Sequence, residues 1–167
     1  MNTWDMRFLS DAKHHSSHSK DPSRRVGAVF VRDNNILSIG WNGFPRGIAD
    51  TPERLNHRET KYKYVVHAEM NGIYNATHNG VSLNGSTVYV HGLPICSHCA
   101  LGLIQVGIVR AVMVVEDMPE RWKESFALTR ELFNEAGIGC ETNYVSRPVE
   151  LDHNIKETLE KLSKSAL

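Results

Sequence analysis

Two short stretches of this sequence carry residue types that can do chemistry. LPICSHCA, residues 93–100, sets Cys96 and Cys99 at CxxC spacing, and VVHAEMN, residues 65–71, sets His67 two positions before Glu69. A CxxC pair at a helix start fits a dithiol redox centre, half of a metal site, or two buried thiols. His67 decides among them. Zinc takes imidazole and thiolate ligands in a tetrahedron, and a catalytic zinc keeps one of its four positions for water. His67, Cys96 and Cys99 make three such ligands, and two thiolates with a neutral imidazole balance the charge of the ion. The third cysteine, Cys140, falls in a late strand and reads as a small core residue. A closed structural site would need a fourth protein ligand; His91 and His98 are nearest, and each reads better as a strand or loop side chain. An open, water-binding zinc site is the expectation.

Glu69 sharpens it. Residues i and i+2 stand about 200° apart around an α-helix, so His67 and Glu69 address one group only if it sits over the first turn. The CxxC pair also opens a helix, where the positive dipole end favours thiolate. Two helix N-termini then converge on one metal with a carboxylate beside it, an arrangement suited to activating water.

The elements that must hold these residues alternate. Trp4, Phe8, Leu9 and Ala12 recur at helical spacing and predict a helix over 3–16, followed by a polar loop through Pro22. VGAVFV (26–31) and ILSIGW (36–41) flank Asp33-Asn34-Asn35 as a hairpin. A long basic loop with Gly and Pro runs from Trp41 to Tyr64, a length that usually means function. A helix from near His67 to His78, a strand at 87–91 and a helix from Cys99 to Val106 follow. A strand at 109–115, a helix at 120–136, a strand at 138–145 and a terminal helix from about 150 complete the pattern. This order predicts an α/β fold, a mixed sheet with helices on both faces.

Composition bounds the function. At 167 residues the chain fits one domain, spanning 1–167, with the helix at about 150–167 appended to it. Nineteen Lys and Arg balance nineteen Asp and Glu, so no global field favours nucleic acid or a membrane surface. MNTWDMRFLSDAKHHSS has no long apolar run, so neither a signal peptide nor a membrane span is expected. Three cysteines make a poor disulfide framework, which points to a reducing cytoplasm.

With these residues in place, the sequence resembles the zinc-dependent cytidine deaminase-like superfamily, whose signature is H-x-E with P-C-x-x-C. It is most similar to the deoxycytidylate (dCMP) deaminases. SKDPSRRVGAVFV, SIGWNGFPRGIAD, KYKYVVHAEMNGIY and LNGSTVYVHGLPICSHCALGLIQVGI follow the order of that family's segments over residues 4–140. NGFPRG and the basic loop before HAE point to the nucleotide enzymes. One position departs: the family has Pro directly before the first zinc cysteine, where this chain has Ile95, with Pro94 one residue earlier. The resemblance implies a three-layer α/β/α fold with a central mixed sheet of about five strands. It implies hydrolysis of dCMP to dUMP and ammonia at one Zn2+ held by His67, Cys96 and Cys99. Glu69 would carry protons between water, N3 and the leaving amine. Ala68 and the Pro94–Cys96 turn would hold the pyrimidine edge, Asn42 would meet the sugar, and Arg25, Arg46, Lys61 or Lys63 the phosphate. Arg24 and Arg25 follow an Asp21-Pro22 turn that could bring one of them inward. The resemblance also implies regulation by dCTP and dTTP, with Mg2+ on the triphosphate, at the NGFPRG region, and a homo-oligomer of two to six chains.

Other functions stay in view: a tRNA-editing or other nucleic-acid deaminase, a free base or nucleoside deaminase, and a non-catalytic nucleotide-sensing zinc module. Balanced charge argues against the first, and an unligated Glu69 against the last. His14, His15 and His18 read as a polar helix end, because no carboxylate or cysteine joins them at metal-site spacing.

Overall fold

The computed structural model describes residues 1–145; the expected helix at about 150–167 lies outside the described residues. Five strands, β1 (Gly27–Arg32), β2 (Asn35–Trp41), β3 (Thr87–Gly92), β4 (Arg110–Glu116) and β5 (Gly139–Val145), form one sheet in the order β2-β1-β3-β4-β5. β1 pairs antiparallel with β2 and with β3, whereas β3–β4 and β4–β5 are parallel. The antiparallel half begins with a two-residue hairpin: Asp33 and Asn34 both take positive φ, 52° and 59°, the turn whose twist suits a hairpin.

Side-chain alternation assigns the two faces of the sheet. Val29, Val31, Tyr89 and Val112 pack against Phe8, Leu9 and Ala12 of α1 (Thr3–Ser16). Ala28, Phe30, Val88, Val90, Ala111 and Met113 face the opposite core. That core is closed by α4 (Ala68–His78), α5 (Ser97–Gln105) and α6 (Glu120–Glu135). Helices therefore cover both faces, the three-layer α/β/α arrangement expected from the alternating elements. β3 and β4 are buried on both sides, which is why their sequences are nearly continuous in apolar residues.

The stretch read as a long loop is partly helical: α2 (Pro52–Asn56) and α3 (Arg58–Tyr64) occupy it. Thr51 caps α2 ahead of Pro52, and the His57 side chain accepts from Thr60 N to cap α3. Each helix is under two turns, too short for periodicity to register. The α4 helix lies tightly on β2. A Cβ on Gly40 would meet the Ala68 carbonyl at 2.2 Å and the Gly72 nitrogen at 2.4 Å, so glycine at 40 lets β2 touch the first turns of α4.

Candidate metal and substrate site

The start of β1 and the ends of β2 and β3 share one end of the sheet, where the loops that carry the site meet. His67 is the N-cap residue of α4, in extended conformation, with no capping bond from its side chain. The imidazole is thus free to turn toward α5. Cys96 is the N-cap of α5 and its Sγ accepts from Cys99 N at 3.5 Å, so the CxxC loop folds both sulfurs to one side. Helix α5 begins at Ser97, two residues earlier than periodicity suggests, because a cap residue contributes no apolar signal. His67 Nδ1 lies 3.4 Å from Cys96 Sγ and 3.4 Å from Cys99 Sγ.

These distances test the fit to zinc. Bonds of about 2.3 Å to sulfur and 2.0–2.1 Å to nitrogen, at tetrahedral angles, put N and S about 3.5 Å apart. The observed donor spacing matches, and all three donor atoms lie within 4.8 Å of one another. His91 and His98 do not join them: His91 Nε2 faces Glu116 at 3.7 Å, and His98 is exposed.

Without an ion the trio holds its own charges. The Cys96 thiol is held down to about 4, chiefly by its hydrogen bond with Cys99, with His67 adding to the effect. Cys99 is pushed up by the same bond and by burial. His67 is raised to about 9, chiefly by its hydrogen bond to Cys96. A metal ion therefore displaces protons from Cys99 and His67 when it binds.

Glu69 sits in the first turn of α4, 3% exposed. Burial pushes its carboxyl up to about 7, opposed by the charge of His67. A carboxyl near neutrality can both take and give a proton at physiological pH.

The site opens into a cavity of about 580 Å³, part of it open to solvent, walled near the metal trio by His67, Ala68, Glu69 and Pro94. Arg24, Asn42, Lys61, Arg121 and Trp122 also line it. Two of these carry buried donors with no partner, Arg24 Nη1 and Trp122 Nε1. Buried polar groups are nearly always paired, so two orphaned donors on residues that line one cavity mark these residues for attention in substrate recognition. The Trp122 ring stands 6.0 Å from the His67 ring.

The residues expected at the substrate divide. Ala68, Pro94 and Asn42 line the cavity. Asn42 is largely committed: Oδ1 accepts from Val26 N at 2.8 Å, and Nδ2 donates to the Arg24 carbonyl at 3.0 Å and to Asp21 Oδ2 at 3.5 Å. One acceptor position on Oδ1 is left for a sugar hydroxyl. Arg25, Arg46 and Lys63 are exposed and do not line the cavity. Arg46 instead hydrogen-bonds Asn75 and lines a separate groove with Ile36 and Ile39. Lys61 does line the cavity, held by Asp21 at 2.9 Å and Ser23 Oγ at 3.2 Å. Arg24, rather than Arg25, turns inward. Asp21 Oδ1 accepts from Ser23 N and Arg24 N at 2.7 and 3.2 Å, closing the turn that the Asp-Pro pair signals. Arg121 and Trp122 are not among the expected site residues; Trp122 falls on the apolar period of α6, which by itself reads as core.

Ile95, the departure before the first cysteine, is fully buried; its N–H points to Met113 Sδ at 3.5 Å and its carbonyl accepts from Thr129 Oγ1 at 2.9 Å. The residue fills core and uses both backbone groups, the N–H being one that proline would lack.

Comparison with known proteins agrees with this geometry. The family described as "cytidine and deoxycytidylate deaminase zinc-binding region" matches residues 2–115. A human protein named deoxycytidylate deaminase is 38% identical over 143 residues, covering 81% of this chain and 76% of the human one. An uncharacterized deaminase from Aliivibrio fischeri is 38% identical over 137 residues, covering 81% of this chain and 90% of its own. Among solved structures, the dCMP deaminase of cyanophage S-TIM5 in complex with dCMP and dUMP superposes with a TM-score of 0.68 at 23% identity. It covers 86% of this chain and 99% of that one, and establishes likeness of fold. The chain belongs to the zinc-dependent cytidine and deoxycytidylate deaminase family. Its His67, Cys96 and Cys99 cluster is a zinc site. No helix among the described residues is long and apolar enough to cross a membrane.

Proposed function

We propose that the protein hydrolyses the exocyclic C4–N bond of dCMP to give dUMP and ammonia. The observation that carries this reading is Glu69, a buried carboxylate outside the metal trio yet in the first turn of the helix that His67 caps. A purely structural zinc site has no use for such a group. The substrate is supported by relatives named deoxycytidylate deaminase at 38% identity and by the cationic wall of the cavity.

Zinc held by His67, Cys96 and Cys99 supplies a Lewis acid that makes water acidic enough to react near neutral pH. Glu69 takes a proton as water adds at C4 and gives it to N3. It then moves the second proton from oxygen to the departing amine, so water and cytosine become uracil and ammonia. Ala68 and Pro94 wall the reacting ring, and Trp122 closes the side next to His67. Arg24, with Lys61 and Arg121 beside it, faces the 5′-phosphate. Asn42 ties the Arg24 carbonyl and Val26 N together and so positions that arginine.

The same proposal takes the whole chain as one deaminase domain acting as a cytoplasmic homo-oligomer. It includes a dCTP and dTTP effector site, with Mg2+, at the NGFPRG loop. A second cavity lined by Trp41, Asn42, Gly43 and Phe44 supports that placement.

The test is ammonia release from dCMP, CMP, deoxycytidine, dCTP and guanine in parallel. The expected result is highest kcat/KM on dCMP. Equal efficiency on deoxycytidine would remove the phosphate from recognition, and no release from any of them would overturn the enzymatic reading.

A further inference from the structure

The end of α1 carries three imidazoles that the deaminase reaction does not use. His14 and His15 close the last turn, and His18 folds back on them: Ser17 N donates to the His14 carbonyl at 3.0 Å and His18 N to the His15 carbonyl at 3.1 Å. The ring centres form a near-equilateral triangle, 5.4 Å for His14–His15, 5.6 Å for His14–His18 and 5.6 Å for His15–His18. His15 is half-buried and its Nδ1 is a buried nitrogen with no hydrogen-bond partner. Behind the triangle, the Trp41 ring backs His18 at 5.1 Å and fixes one corner of it.

From these observations we propose that His14, His15 and His18 form a second metal site, taking a divalent transition ion of the imidazole-preferring class, separate from the Cys-containing zinc site. Three imidazoles around one tetrahedral ion, with metal–nitrogen bonds of about 2.0–2.1 Å and about 1.1 Å from nitrogen to ring centre, have centres about 5.2 Å apart. The observed triangle is already within about 0.4 Å of that spacing. What remains is rotation of the rings. Among the described residues, only His67, Cys96 and Cys99 have three donor atoms within 4.8 Å of one another. His14 is exposed and its ring can turn, His18 is exposed on the side away from Trp41, and His15 Nδ1 has no competing partner. A set of neutral nitrogens selects nickel, copper, zinc or cobalt over magnesium or calcium, which require oxygen ligands.

The experiment uses the full, untagged chain with its Cys-bound zinc retained, titrated with Ni2+ and followed by bound-metal analysis and thermal melting. The expected result is one nickel per chain in addition to one zinc, with a rise in Tm by mass action. His14→Gln and His18→Gln change exposed side chains, so both variants should fold, and His14→Gln, at a residue that lines neither cavity, should also leave deamination unchanged. Each should weaken nickel binding by more than the roughly tenfold that loss of an outer-sphere partner costs. His78→Gln, an exposed histidine elsewhere, should bind as the wild type does. Absence of the additional nickel at micromolar concentration, or an additional nickel that survives His18→Gln, would overturn the proposal.

Discussion

Thr129 of α6 donates a 2.9 Å hydrogen bond to the carbonyl of Ile95, the residue immediately before Cys96, and both side chains are fully buried. Four residues back on α6, Ser125 Oγ accepts from Ser97 N at 3.0 Å, satisfying a first-turn donor of α5. The zinc-side loop is thus clamped from α6 on both sides of Cys96. Thr129→Val keeps the volume but strands the Ile95 carbonyl in a dry core. The expected cost is about 1–3 kcal/mol of unfolding free energy, read as a lower urea midpoint, with faster zinc release to a chelator. Unchanged release with lowered stability would show that the clamp serves the core alone.

Glu69→Gln should keep zinc and lose turnover. The amide matches the carboxylate in shape but cannot accept a proton, and Glu69 is not one of the three metal donors. Zinc content near one per chain with activity down by at least about 10²-fold is the expected pair of results. Loss of the metal in this variant would make Glu69 a ligand and the site assignment wrong.

Far from the site, Asp5 of α1 ties the helix to the sheet. Its carboxylate accepts from Arg110 Nη1 at 2.7 Å, Arg110 Nη2 at 2.9 Å and the Tyr89 hydroxyl at 2.9 Å. The Arg110 hydrogen bonds hold its carboxyl well below the usual carboxylate range against the opposing effect of burial. Because the folded pKa is depressed, the unfolded state takes up this proton first as pH falls. The stabilisation is complete above the unfolded value of about 3.9 and is lost below it. Asp5→Asn should cost about 3 kcal/mol at neutral pH, and the gap to wild type should narrow below about pH 4. Parallel urea melts at neutral and acid pH check this; a gap independent of pH would sink it.

The legible parts of this protein were those with local signals. Short β-rich runs around a turn exposed β1 and β2, and a near-continuous apolar run exposed the doubly buried β4. Residue type plus spacing singled out His67, Glu69, Cys96 and Cys99, of which the structure gathers His67, Cys96 and Cys99. The cationic wall was harder because sides are set by tertiary turns. Lys61 and Lys63 belong to α3, where residues two apart stand about 200° from each other, so one is buried against Asp21 while the other is in solvent. Reading that segment as a loop erased the distinction. Arg24 and Arg25 are neighbours on the approach to a strand and point oppositely for the same kind of reason, with the Asp21 turn deciding which faces in. Trp122 satisfies the apolar period of α6 and carries no local sign that it would line the cavity with its Nε1 buried and unpaired.

Arg24 gives the sharpest test of substrate recognition. Arg24 lines the cavity, its Nη1 is buried and without a partner, and its backbone is held by Asp21 and Asn42. A phosphate dianion there would gain charge-assisted hydrogen bonds worth about 1.5–3 kcal/mol each, which corresponds to roughly 10- to 150-fold in kcat/KM. Arg24→Gln should therefore lower kcat/KM on dCMP by that factor while leaving the weaker activity on deoxycytidine nearly unchanged. The same pair of substrates compared in Arg25→Gln, whose arginine is exposed, should show no such selective loss. Equal losses on dCMP and deoxycytidine in Arg24→Gln would mean that the arginine shapes the cavity without touching the phosphate. A selective loss in Arg25→Gln instead would mean that the exposed arginine swings in when substrate binds.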